Sequence, residues 1–375
     1  MSTDERLHTL ALSFVPGIGH KIAKYLIASC ESAVKIWQKT PAQIQKIPDI
    51  GPKLSKGLIE NREKSLLRAE EELRKASDMG VKLLLYTDED FPNRLKILPD
   101  SPLLLYVRGE ANLNMPKSLG IVGTRKASAY GKSITEQIVA NLTHFKPTVV
   151  SGLAYGIDIQ AHKSCIAHQV PTVAVLACGV DVIYPLVHTS YVEAFLAQGG
   201  ALVSERALGT PPDSALFPSR NRIIAGLSDA LVVVEAAEKG GALITADIAF
   251  SYDREVFAVP GNLGSNTSVG CNKLIQQQKA TIYTSNKDIE EALKWDMSDY
   301  KLVPKKLQGA LKSENLNLEG AEKLIFDLLS HKGKLQIDEI AIYTQLPIST
   351  VGAKLFELEL KNLVKTLPWK HYELA

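Results

Sequence analysis

The chain has 375 residues, of which 45% are hydrophobic, 22% charged and 6% aromatic, a globular composition that excludes wholesale disorder, a collagen-like repeat and a coiled-coil rod. At roughly 100–200 residues per domain, this length calls for two or three domains. Forty-three Lys and Arg against forty-one Asp and Glu leave a formal charge of +2, so a polyanionic partner would have to be held by local clusters rather than by overall charge.

In chain order, the N-terminal MSTDERLHTL carries charge where a signal peptide is apolar, and no apolar run anywhere reaches the ~18 residues of a membrane span. A cytoplasmic protein with no membrane contact is expected. Residues 1–80 read as a helical domain, with Leu7, Leu10, Ala11, Phe14 and then Leu54, Leu58, Ile59 at helical spacing. Within it VPGIGHKIAKYLI at 15–27 and IPDIGPKLSKGLI at 47–59 repeat one pattern at an offset of 32, with Asp49 where the first copy has Gly17. A glycine turn opening an amphipathic helix, flanked by Lys21, Lys24, Lys53 and Lys56, suits a phosphate oxygen. The repeat resembles tandem helix-hairpin-helix motifs. Residues 21–68 hold ten basic side chains against four acidic ones, which fits a nucleic-acid backbone; the same turns would serve equally well to pack helices together.

From residue 81 short apolar runs take over, at 81–86, 103–107, 119–123, 148–152, 172–177, 201–205, 230–236 and 255–259, with helical segments such as 127–145, 158–168, 188–198 and 241–252 between them. This alternation predicts an α/β, Rossmann-like parallel-sheet domain over 81–295. Residues 296–320 read as a linker and 321–375 as a winged-helix-like domain, with helices to either side of Pro347 and a β wing around 363–373. In that last segment seven lysines are matched by seven acids, so a protein-interaction or regulatory role stands beside DNA binding. The four cysteines, Cys30, Cys165, Cys178 and Cys271, lie far apart, giving no zinc finger or disulfide framework; buried, reduced thiols are expected.

Chemistry concentrates after the strands, where open parallel sheets bind ligands. Gly123, Thr124 and Arg125 offer backbone N–H groups, a hydroxyl and a guanidinium to one anion, but neither a G-x-G-x-x-G nor a Walker A spacing is present. NAD and ATP chemistry lose support, and no cofactor or metal is expected. Ser151 and Gly152 end a strand before Gly156 and Asp158, the last placed to cap a helix carrying His162; a structural Asp158–His162 pair is favoured over a metal or acid–base pair. Pro218 and Ser219 open a helix whose first turn holds Arg220, Asn221 and Arg222, and a later strand delivers Glu235 to the turn at Lys239, Gly240 and Gly241. Cations at a helix start oppose the macrodipole, which points to an anionic ligand; pairing of Arg220 or Arg222 with Glu235 or Glu238 is the structural alternative.

The runs GTR at 123–125, SGLAYGID at 151–158, FPSRNRIIAGLS at 217–228 and EKGGALITA at 238–246 resemble the DNA-processing protein A family (DprA/Smf). That resemblance implies a non-enzymatic, single-stranded DNA-binding protein of natural transformation and recombination that protects incoming DNA, forms a homodimer and loads the RecA recombinase. By motif correspondence it places DNA binding on Gly123, Thr124, Arg125, Ser151, Gly152, Arg220, Asn221, Arg222, Lys239, Gly240 and Gly241. The alternative is a Rossmann-like nucleotide phosphoribohydrolase-type enzyme using Glu235 with Arg222, although EKGGALITAD lacks the P-G-G-x-G-T-x-x-E signature.

Overall fold

The computed structural model describes residues 3–295, 318, 320–367 and 371–374. Met1–Met297 form one compact unit and Ser298–Ala375 a second; the linker expected at 296–320 lies, apart from Leu318 and Gly320, outside the described residues.

Six helices open the chain: α1 (Thr3–Leu12), α2 (His20–Cys30), α3 (Ala33–Gln38), α4 (Pro41–Ile44), α5 (Pro52–Glu60) and α6 (Arg62–Asp78). Leu10, Leu26, Trp37 and Leu58 are their buried centre. This core is shared: the same apolar cluster takes in Leu83, Leu104, Tyr106 and Leu202 of the sheet. The helices therefore pack on the β1, β2 and β6 side of the sheet instead of closing on themselves.

Strands β1 (Val81–Leu85), β2 (Leu104–Gly109), β3 (Ser118–Val122), β4 (Thr148–Gly152), β5 (Thr172–Val175), β6 (Ala201–Ser204), β7 (Ala230–Val233) and β8 (Glu255–Ala258) fall on the eight apolar runs, and β9 (Thr281–Ile282) is too short to carry a pattern. The helices that follow are α7 (Asn93–Lys96), α8 (Ala129–Asn141), α9 (Ile157–His168), α10 (Thr189–Ala197), α11 (Leu216–Leu227), α12 (Gly241–Ser251), α13 (Val269–Gln276) and α14 (Asn286–Leu293). Sheet order is β1-β2-β6-β5-β4-β3-β7-β8-β9. The sheet is parallel from β6 to β9, but β1 pairs β2, and β2 pairs β6, antiparallel. The reason is that only the four-residue α7 lies between β1 and β2, too little helix to carry a strand back for parallel pairing. Both faces of the central strands are buried, so successive side chains serve opposite cores: Ile121 packs with α8 and α9 residues such as Ile138 and Ile157, and Val122 with α11 and α12 residues such as Ile223 and Ala246.

The second unit is α15 (Gly320–Lys332), β10 (Leu335–Gln336), α16 (Ile337–Thr344), α17 (Ile348–Leu360), β11 (Val364–Leu367) and β12 (His371–Leu374), with strand order β10-β12-β11. Two helices joined at Pro347 and followed by a β hairpin make a winged helix. Gln336 precedes α16, and its N–H is accepted by the Glu339 carboxylate at 2.8 Å. Lys354, Lys361 and Lys365 are held by Glu357, Glu322 and Glu373 at 2.6, 2.8 and 2.6 Å.

In the first unit, Glu72 of α6 is 5% exposed and fastens helices to sheet: it accepts the Leu208 N–H at 2.6 Å and the Tyr106 hydroxyl. Glu72→Ala strands both donors in a dry seam, an expected loss of about 2–3 kcal/mol. Thermal denaturation should show a midpoint several degrees lower; an unchanged midpoint would remove Glu72 as the fastener.

Candidate functional site

The strand order reverses at β3. From β3 the chain steps outward through β4, β5 and β6, whereas β7, on its other side, leads to β8 and β9. The loops leaving the carboxyl ends of β3 and β7 therefore diverge, and an open α/β sheet has its crevice at such a point. Here it is a cleft of about 310 Å³ lined by Gly123, Thr124, Arg125, Ala154, Asp158, Phe217, Arg220, Asn221, Lys239, Gly240 and Gly241, among others.

The cleft is built by loops that hold one another. Thr124 donates its N–H to Glu235 O at 2.7 Å and accepts the Ile157 N–H at 3.1 Å, joining the ends of β3, β7 and α9. Gly123 sits in this knot because a Cβ there would lie 2.5 Å from Ile157 Cγ1. Arg125 is exposed, with no hydrogen bond or ion pair among the described residues, and its guanidinium rests 5.4 Å from the Phe217 ring centre. Lys239 is likewise exposed and unpaired among the described residues. Gly240 and Gly241 begin α12, whose first N–H groups have no side-chain cap. Asn221 donates to Gly241 O at 3.2 Å and so fixes that helix start against α11.

Behind these groups lie two buried charges of opposite sign. Arg220 is 6% exposed, donates to Val175 O, and has its pKa lowered by burial; Asp158 is also 6% exposed. Burial pushes the Asp158 carboxyl up to about 6 against the pull of Arg220 and of the Ala154 and Gly123 N–H groups. The two meet over Gly152, where a Cβ would lie 2.5 Å from Asp158 Oδ2 and 2.7 Å from Arg220 Nη1.

Eight of the eleven residues expected at the site line this cleft, and three do not. Ser151 is fully buried and donates to Ile121 O at 2.6 Å, pinning β4 to β3. Gly152 is the space beneath Asp158 and Arg220. Arg222 lies on the opposite side of α11 and pairs with Glu205, not with Glu235 or Glu238. The macrodipole argument for the arginines fails because α11 starts at Leu216, before Pro218; proline is tolerated in a first turn, whose N–H groups are free in any case. Asp158 does not cap α9, which begins after Gly156, and His162 bonds Thr172 and Gly152 O instead of Asp158. Glu235 accepts from the Ser128 N–H and hydroxyl at 2.9 and 2.6 Å, holding the start of α8. The Glu235–Arg222 pair that an enzyme reading needs is therefore not assembled. Sequence reasoning missed Asp158 as a cleft residue; the only signal was an acid among basic loops.

Two family models match the chain, DNA recombination-mediator protein A over residues 82–294 and the DprA winged helix domain over 311–368. Protein Smf of Synechocystis sp. is 32% identical over 401 residues, covering the whole of both chains. The chain belongs to the DNA-processing protein A (DprA/Smf) family. Among solved structures of the family, DNA processing protein A from Streptococcus pneumoniae aligns with a TM-score of 0.64 at 27% identity, covering 77% of this chain and 98% of that one. The Helicobacter pylori protein, described for its single-stranded DNA binding mode, aligns with a TM-score of 0.52 at 29% identity, covering 59% and 98%. The larger family domain spans nearly all of the sheet and the whole of its cleft, and the smaller one spans most of the second unit.

The different settings of the two arginines set a stability test. Arg222→Ala leaves Glu205, whose side chain is 12% exposed, without its main partner, an expected loss of about 3 kcal/mol. Arg125→Ala removes an exposed, unpaired group and should leave the unfolding midpoint in place. Equal denaturant midpoints for the two variants would contradict this assignment.

Proposed function

We propose that the chain binds single-stranded DNA with the phosphate backbone in the cleft between β3 and β7. The observation that carries this reading is the convergence of Arg125, Arg220, Lys239 and the uncapped start of α12 on one cleft. Arg125 and Lys239, exposed and unpaired among the described residues, set against the uncapped backbone donors of α12 and with Arg220 buried behind them, suit phosphate oxygens. The single-strand preference rests on the aromatic groups. Phe217 lies beneath two guanidiniums, and a small slot beside the cleft is walled by Phe217, Tyr155, Tyr184 and Pro185. Bases can stack on such rings only when splayed from a duplex.

Membership of the family supports the wider role. The protein would act in the cytoplasm in natural transformation and recombination, protecting incoming DNA and handing it to the RecA recombinase. A homodimer would bring two clefts to one strand and gain affinity through effective concentration. This is a binding function, to which no catalytic residue, metal or cofactor is assigned. No helix among the described residues is long and apolar enough to cross a membrane.

Fluorescence anisotropy with one oligonucleotide, single-stranded and then annealed, tests the reading. Arg125→Ala should weaken single-strand binding by about ten- to a hundredfold and reduce the log–log salt slope by about 0.7. Phe217→Ala should cost about 1–3 kcal/mol of binding with the slope unchanged. Tighter binding of the duplex, with no effect of either variant, would overturn the proposal.

Asp158 adds a dependence on pH. With its carboxyl already near 6, a phosphate nearby disfavours the carboxylate further and raises that value, so binding takes up a proton. Affinity should rise as pH falls from 8 toward 6, and Asp158→Asn should flatten that dependence. A profile identical in the parent and Asp158→Asn would rule out this coupling.

A further inference from the structure

The two hairpin repeats are alike in backbone and unlike in chemistry. Ile18 N–H bonds Val15 O at 3.1 Å in the first, and Ile50 N–H bonds Ile47 O at 3.2 Å in the second. Gly17 and Asp49 both take left-handed backbone, at φ +83° and +61°, and Gly19 and Gly51 both precede a helix. In the second turn, however, the Asp49 carboxylate stands at the place of Gly17, and Pro52, with no N–H, stands at the place of His20. An anion approaching that turn meets a negative charge and finds one donor fewer. The first turn keeps the donor and carries no carboxylate.

The first turn also borders two cavities. Ile18, Gly19 and His20 of the first turn line a cavity of about 240 Å³ whose other wall includes Glu205, Arg206 and Arg222. It adjoins a second cavity, of about 310 Å³, which Pro16 lines with Arg68 and Arg206. Three arginines thus face one glutamate. His20 Nε2 is buried with no hydrogen-bond partner among the described residues. Burial and then the charge of Arg222 hold His20 down to about 4 and Lys24 down to about 8, against the opposing charge of Asp100.

The start of α11 divides these cavities from the sheet-end cleft. Leu216, Ser219 and Arg222 face the hairpin side, and Phe217, Arg220 and Asn221 the cleft. A helix with its side chains is about 10–12 Å across, a ridge that an extended strand crosses within a few nucleotides.

We propose that the first hairpin turn and Arg206 form a second phosphate-binding site for the same single strand, across α11 from the cleft, and that the second repeat is structural only. The inference rests on the single-strand reading above. Its test converts the first turn to the chemistry of the second in the full-length protein, as Gly17→Asp with His20→Pro. The fold should survive, because Asp49 already occupies this backbone region and proline suits the first position of a helix.

Anisotropy with oligothymidylates of about 4 and about 16 nucleotides, a range covered by single-strand-binding modules, then separates the two sites. The double variant should bind the long strand about three- to tenfold more weakly with a smaller salt slope, and the short strand as the parent does. Arg125→Ala should weaken both. Unchanged long-strand affinity and slope in the double variant, with Arg125→Ala still impaired, would overturn this inference and leave the cleft reading standing. Parent binding that neither variant weakens would overturn both. Should the double variant fail to fold, Arg206→Gln carries the same expectation and the same refutation.

Discussion

Two buried charges of opposite sign, Asp158 and Arg220, set over Gly152, govern the architecture around the cleft. A guanidinium 6% exposed is tolerable only with compensation, and here that comes from the Val175 carbonyl of β5, the Asn221 amide oxygen and the nearby charge of Asp158 on α9. The carboxylate in turn accepts N–H groups from the loops after β3 and β4. These two buried charges thereby gather segments from three parallel strands and from α11 around a common point. Gly152 has no side chain because they fill the space, and Ser151 beneath it spends its hydroxyl on joining β4 to β3. The groups that face outward, Arg125 and Lys239, stay free for a ligand because the buried charges are balanced among themselves.

Helix α11 shows how one short sequence serves two surfaces. Side chains three or four positions apart share a helix face, so Phe217, Arg220, Asn221 and Ile224 look into the cleft, while Ser219 and Arg222 look toward the helical layer. Arg220 and Arg222, two residues apart, are therefore about 200° apart around the axis. One belongs to the cleft, and the other anchors Glu205 and the carbonyl of Asp100. The helical layer is accordingly a wall of the molecule's second set of cavities as well as a cover for the sheet.

In the winged helix Lys354, Lys361 and Lys365 are each engaged by a glutamate of the same unit. At the switch point of the sheet Arg125 and Lys239 have no such partner among the described residues. Overall charge is close to neutral, and the part available to a polyanion is a matter of which cations the fold leaves unpaired.

Sequence alone was sufficient for the eight main strands, most of the helices between them, the winged helix and the family, because hydrophobic period and glycine-bearing loops are local properties of the chain. It also located the loops of the cleft, since in a parallel sheet every strand delivers its following loop to the same edge. What it could not supply was the partner of each charge. Arg222 and Glu205 lie on adjacent elements in space with no shared motif, and the start of α11 at Leu216 shifted every inference that depended on a helix terminus. The antiparallel pairing of β1 and β2, the burial of Asp158 and the sharing of one core by helices and sheet likewise follow from how distant segments pack. Pattern fixes what each segment is, whereas pairing and burial depend on what it meets, and only the folded chain decides that.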